Sequence, residues 1–205
     1  MSLSITPRDQ IRTLQPRIYE SIALADAENG TTHFVIVVGL DKNLVLQLRK
    51  FSLDANDVAV QEHTSDRKRF GEGSYETWYA KDRTPFALVS RDGKELAALV
   101  WFGPKPFGQK SMKHQDGNVN AHIPDFSGID WHTLSYRSYP PFRGTGIMKD
   151  FVRFATEAYL SHHSAARLWA ILDRNNVQSM GLAGALGFKE VDDTSDDSQV
   201  VMAKE

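Results

Sequence analysis

Ser138-Tyr139-Pro140-Pro141-Phe142-Arg143-Gly144-Thr145-Gly146-Ile147-Met148 is the stretch on which the reading of this chain turns. Upstream of it, Trp131 to Ser138 alternates with the period of a strand, and Pro140-Pro141 closes that strand because proline cannot continue a ladder. Downstream, Ile147, Phe151, Phe154, Ala155, Ala158 and Tyr159 recur on one face of a helix predicted over Ile147 to Leu160. Gly144 and Gly146 let the backbone turn sharply between the two, and the N–H groups gathered there coincide with the positive end of the helix dipole. Such a turn makes a seat for a pyrophosphate. Two glycines before a helix are also what an ordinary turn looks like. The segment lacks the Lys-Ser/Thr of a P-loop and the third glycine of a dinucleotide fingerprint, so ATP and NAD readings fall away.

Further out, Leu168 to Leu172 reads as a short strand, Asn176 to Leu186 as a helix stopped by Gly187, and Phe188 to Val191 with Val200 to Met202 as a closing strand pair. Phe86 to Ser90 and Glu95 to Phe102 flank Asp92-Gly93, a dipeptide that supplies the positive φ angles of a type I′ turn. Phe34 to Val38 reads as a buried strand, with Asp41 capping a helix that carries Leu44, Val45, Leu48 and Phe51. Residues 1–30 read as helical pieces broken at Pro16, an extension packed on one domain of residues 31–205. The order predicts an α/β fold of the α+β kind, a mixed and mostly antiparallel central sheet flanked by helices. Residues 105–130, rich in Gly, Pro, Lys and Asn, read equally as a surface loop or as a lid near a site.

The segment from Arg143 to Met148 resembles the Arg/Gln-x-x-Gly-x-Gly/Ala signature of the GCN5-related N-acetyltransferase (GNAT) superfamily, with Met148 where the signature has a small residue. Asn176, Leu186, Gly187 and Phe188 match a second segment of that family, in the right order. The resemblance covers roughly residues 86–203. It implies the GNAT acyl-CoA N-acyltransferase fold and transfer of an acetyl group from acetyl-CoA to a primary amine by direct attack in a ternary complex. It also implies that the amides of Arg143, Gly144, Thr145, Gly146, Ile147 and Met148 hold the pyrophosphate. The strand edge at Tyr136 and Ser138 is then expected to pair with the pantetheine arm, with Asn176 beside it.

Many members place a proton-donating tyrosine where this chain has Ala183. Ser179, one turn earlier, either substitutes for it or only decorates the helix. Some members carry a histidine of a proton relay in the region of His132, which is here either the base for the acceptor amine or a strand-end histidine bonded to backbone; Asp130 and Asp173 are held in reserve. The rival reading is a non-catalytic acyl-CoA-binding sensor or scaffold, motivated by Ala183 and Met148. A third keeps the chemistry and changes the donor to succinyl- or propionyl-CoA.

Composition agrees with one globular domain: 205 residues, 41% apolar and 24% charged. A net charge of -2 with both signs interspersed offers no stripe for a nucleic acid. Arg67-Lys68-Arg69, diluted by Asp66 and Glu72, reads as a solvated face. The chain has no cysteine, which rules out disulfides, a thiol nucleophile and a sulfur-ligated metal. His162 and His163, adjacent on a helix, point about 100° apart, and no metal site is expected. With no leader-like start and no bilayer-length apolar run, the expectation is a cytoplasmic protein acting on a small-molecule or peptide amine, with no membrane partner and room for a homodimer.

Overall fold

Nine strands form one open sheet in the computed structural model, which describes residues 2–8, 13–92, 94–109 and 128–204. They are β1 (Ser4–Pro7), β2 (Ile22–Asn29), β3 (Thr32–Val38), β4 (Thr84–Ser90), β5 (Leu96–Pro104), β6 (Trp131–Ser138), β7 (Arg167–Asp173), β8 (Lys189–Glu190) and β9 (Gln199–Lys204). Their order is β1-β2-β3-β4-β5-β6-β7-β9-β8, and every neighbouring pair is antiparallel except β6–β7. β4 and β5 are buried almost throughout, which is why they read as continuous apolar runs. One face of the sheet packs on α4 (Met148–His162) and α5 (Val177–Ala185) through Phe86, Phe102, Leu134, Phe151 and Ala183. The other packs on α1 (Lys42–Leu53) and α3 (Tyr75–Tyr79) through Leu44, Leu48, Trp78, Leu99 and Trp101. Asp41 caps α1 as expected, accepting from the Leu44 amide at 2.9 Å.

The helical expectation for residues 1–30 is overturned. β1 pairs with β2 from Ser4↔Glu28 to Pro7↔Ala25, and β2 runs on into β3, so this segment extends the sheet. Its alanines favour helix locally, and a bulge between Ala23 and Ala25 breaks the two-residue period that would have marked a strand. Burial of Leu24, Ala25 and Ala27 in the sheet's core decides the matter. The hairpin between β4 and β5 is present, but Ser90 N donates to Glu95 O at 2.9 Å, which makes the loop longer than a type I′ turn. Asp92 is not left-handed; its side chain instead accepts from Ser90 Oγ at 2.5 Å. Gly93 and most of the 105–130 stretch lie outside the described residues.

Arg67-Lys68-Arg69 is not a plain solvated face either. It forms a π-helical turn, Arg67–Gly71, preceded by the fully buried Asp66. That carboxylate accepts from Arg69 Nη1 at 2.6 Å and from Arg137 Nε at 2.7 Å, and both guanidinium groups lie over the Trp101 ring, 5.4 and 5.0 Å from its centroid. One buried anion thus holds two cations. Asp66→Ala leaves those guanidinium groups facing each other with no counter-charge, and is expected to cost about 3–5 kcal/mol in urea unfolding; a loss below 1 kcal/mol would show the pair to be solvated.

Candidate active site

The parallel ladder between β6 and β7 stops early. It covers Trp131↔Arg167, His132↔Leu168 and Thr133↔Trp169, while β6 goes on pairing with β5 as far as Ser138 and β7 with β9 as far as Asp173. Beyond Thr133 the two strands part. Tyr139 N donates to Ala97 O, and Trp131 O accepts from Lys105 N, so odd-numbered residues of β6 address β5. By the alternation of an antiparallel ladder, the backbone groups of Leu134 and Tyr136 therefore point into the gap. Side chains alternate across the sheet: Leu134 and Tyr136 face α4 and α5, whereas Thr133, Ser135 and Arg137 face the side of Trp101. A cavity of about 1290 Å³ runs through the gap, joining the two faces.

At the wide end lies the glycine loop. Gly144 and Gly146 have φ of +80° and +85°, and a Cβ on Gly144 would meet nothing within 4 Å, so the demand is for backbone conformation and not for space. Phe142 N and Arg143 N donate to Tyr139 O at 2.9 and 3.1 Å, and Thr145 N to Phe142 O at 3.4 Å. The amides of Gly144, Gly146, Ile147 and Met148 have no protein acceptor among the described residues, and no side chain caps α4. The expected set of six amides is thereby reduced, since those of Arg143 and Thr145 are spent inside the loop. Thr145 also stands off the cavity, whereas Tyr136, Ser138, Arg143, Gly144, Gly146, Ile147 and Met148 line it.

Arg143 turns its guanidinium away from the loop. It binds Asp57 Oδ1 and Oδ2 at 2.7 and 2.6 Å and also donates to Ser138 O at 2.8 Å. Burial opposes ionisation of Asp57, but the bonds from Arg143 and the Val60 amide outweigh it and hold this carboxyl below its usual range. Asp57 is also the N-cap of α2 (Val58–His63). At the other end of that helix His63 Nδ1 lies 3.0 Å from Asp173 Oδ2, at the tip of β7. α2 therefore crosses the open end of the gap, fastened to both sides.

Asn176 caps α5, accepting from Ser179 N at 3.0 Å, and both residues line the cavity. Ala183, at the place of the family tyrosine, is fully buried in the core. A phenol arrives from the opposite wall instead: Tyr136 OH donates to Ser179 O at 2.7 Å and accepts from Ser179 Oγ at 3.0 Å. Burial raises the Tyr136 phenol above its ordinary value, against the smaller effects of Ser179 and Arg137, so it remains a proton donor.

His132 is not brought to the cavity. It is 6% exposed on the α4 side, its Nδ1 2.5 Å from Tyr159 OH and its Nε2 3.0 Å from Asp130 Oδ1. Both of its ring nitrogens are engaged, one of them by Asp130, and it is not among the residues that line the cavity. Asp173 does line the cavity, bound to His63. Asp57, His63, Asp66 and the Tyr136 hydroxyl were invisible to local patterns, because their partners lie tens of residues away along the chain: 86 for Asp57–Arg143 and 110 for His63–Asp173.

Because the folded carboxyl of Asp57 is lowered, its contribution to stability is full above the ordinary carboxylate range and is lost as pH falls through the lowered value. Asp57→Asn is expected to be less stable than the parent at neutral pH, with the gap closing in acid; urea midpoints measured from pH 7 to pH 3 that stay parallel would refute the ion pair.

The acetyltransferase (GNAT) domain model matches residues 46–189. No curated protein matches the chain. Among solved structures it is similar to a putative GnaT-family acetyltransferase from Bordetella pertussis, at 17% identity and a TM-score of 0.53 over 83% of this chain and 95% of that one. It is also similar to spermidine N-acetyltransferase from Vibrio cholerae in complex with CoA and spermine, at 14% identity and 0.53 over 82% and 92%. Ribosomal-protein-S5-alanine acetyltransferase from Vibrio fischeri follows at 14% and 0.50, over 82% and 91%. At these identities the likeness is one of fold. Among the described residues no helix is long and apolar enough to cross a membrane, and no group of His, Asp or Glu has a metal-binding arrangement. The family match takes in the glycine loop, both diverging strands and α5, and the chain belongs to the GNAT acetyltransferases.

Proposed function

We propose that this enzyme moves an acetyl group from acetyl-CoA to a primary amine of a small molecule or peptide, by direct attack in a ternary complex. The observation that carries the reading is the set of open amides at Gly144, Gly146, Ile147 and Met148, placed where β6 and β7 part. Four N–H groups at a helix start suit a diphosphate. The unpaired β6 edge at Leu134 and Tyr136 suits an arm that itself carries amides, as a further strand would. Met148 is among the residues that line the cavity. The coenzyme supplies the activated acyl group as a thioester.

As the C–N bond forms and the C–S bond breaks, the Ser179 hydroxyl turns from the Tyr136 oxygen to which it donates, gives a proton to the departing sulfur and takes one back from solvent. The proton leaving the amine goes to solvent. Lys105, which lines the acceptor side, is lowered to about 8, first by burial and then by the charges of Arg69 and Arg83. An ammonium bound in the same surroundings is lowered in the same way, so no dedicated base is needed. With no cysteine in the chain, no thiol of the protein takes up the acyl group on its way to the amine.

Gly146→Asp would place a side chain at φ +85° and a carboxylate among the open amides. Coenzyme affinity is expected to drop by about a hundredfold or more, nearly 3 kcal/mol; an unchanged calorimetric Kd would remove the seat from the loop. Ser179→Ala is expected to lower kcat by about 10², the lower end of what a positioned acid contributes, with coenzyme Kd unchanged. The rising limb of the rate against pH should move with the acceptor's own pKa and survive His132→Ala. A limb fixed across acceptors and abolished in that variant would restore the histidine as base.

A further inference from the structure

The acceptor side of the cavity is positive although the chain as a whole has a net charge of -2. Lys68, Arg69, Lys81, Arg83, Lys105 and Arg137 line it. Asp66 is the one carboxylate bonded to this group among the described residues, and it is shared by Arg69 and Arg137, which leaves one guanidinium charge uncompensated. Among the described residues Arg83 Nη1 donates to the Pro104 carbonyl alone, at 3.1 Å, and makes no ion pair with its chain neighbour Asp82. Lys105 Nζ lies 5.1 Å from the Trp169 ring centroid, with no carboxylate in ion-pair distance among the described residues. The side chain of Arg83 crosses Gly103, where a Cβ would come within 2.9 Å of its Cδ and 2.6 Å of Nη1. The glycine thus makes room for the guanidinium against β5.

Of these charges, Arg83 and Lys105 stand apart from the pyrophosphate seat. Gly103 pairs with Thr133 and Pro104 with His132, at the closed end of the gap. From Thr133 to Ser138 the strand rises about 17 Å, so Arg83 and Lys105 lie about that far along β6 from the start of the glycine loop. They flank the end toward which an arm running down β6 from the loop delivers its thioester. Uncompensated cations there attract an anion and repel a polycation, each like-charge contact costing affinity.

We propose that the acceptor amine also bears an anionic group, a carboxylate or a phosphate, bound by Arg83 and Lys105 while the amine faces the thioester. The inference deepens the acyl-transfer reading and rests on it. The test uses matched amines at saturating acetyl-CoA, with release of thiol as the readout: O-phosphoethanolamine against ethanolamine, β-alanine against β-alaninamide, and spermidine as a polycation. The anionic member of at least one pair is expected to exceed its neutral partner by tenfold or more in kcat/KM, chiefly through KM, with spermidine poorest. Which pair shows it separates phosphate from carboxylate. Arg83→Gln and Lys105→Met should each cut that preference about tenfold and leave coenzyme Kd unchanged.

Preference for neutral amines or spermidine overturns the proposal, as does a preference that survives both variants. If none of the amines is acetylated, the acyl-transfer reading fails as acetyl-CoA that binds without turnover. The anion subsite is then read separately, by calorimetric titration of the CoA-saturated protein with inorganic phosphate and with malonate. Binding that weakens about tenfold in Arg83→Gln supports it; no binding of either anion overturns it.

Discussion

Two neighbouring strands that stop pairing are the constraint on which the site depends. A sheet interior normally satisfies its backbone groups, and leaving a buried one unmet costs about 1–3 kcal/mol. Here β6 and β7 can forgo each other beyond Thr133 because each keeps a full ladder on its far side, with β5 and with β9. The gap is therefore stable as a gap. What it exposes is the edge of a strand, and what stands at its wide end is the start of a 15-residue helix with uncapped amides. Both features are unpaired donors and acceptors held rigid in advance, which is the condition for binding a polar, extended ligand without first ordering the protein.

Electrostatics on the two faces of the gap follow from burial acting against charge. The Tyr136 phenol is raised, and Lys105 is lowered to about 8, both first by burial. The first effect preserves a neutral donor beside Ser179. The second reports an environment that disfavours a further cation. Asp66 limits that disfavour by neutralising part of the charge from Arg69 and Arg137, and it does so from full burial, where the attraction is least screened.

Local signals were enough for much of this. The strand, glycine turn and helix around Ser138–Met148 were legible because a two-residue period, a turn and a 3.6-residue period follow one another without interruption. The N-terminal strands were not, since alanine-rich β2 carries a bulge that hides its period. His132 shows a missed signal: it shares its parity with Leu134 and Tyr136, so the alternation already placed it on the core face of β6. Ser179 was legible as a hydroxyl near the family tyrosine's place, but its partner Tyr136 comes from 43 residues away, and no local pattern reports such a contact. The acceptor side was the least legible, because Arg69, Arg83 and Lys105 lie in separate segments that only the folded sheet brings together.

α2 is six residues long and anchored at both ends, Asp57 to Arg143 and His63 to Asp173. A helix cannot be lengthened by a fraction of a turn: each added residue advances its end by about 1.5 Å and rotates it by about 100°. An insertion or deletion inside Val58–His63 would swing the imidazole off β7 even if every side chain were kept. Most surface segments between a helix and a strand tolerate changes of length. This one has its length set by the width of the gap, so it is a place where the chain can change in composition but not in count.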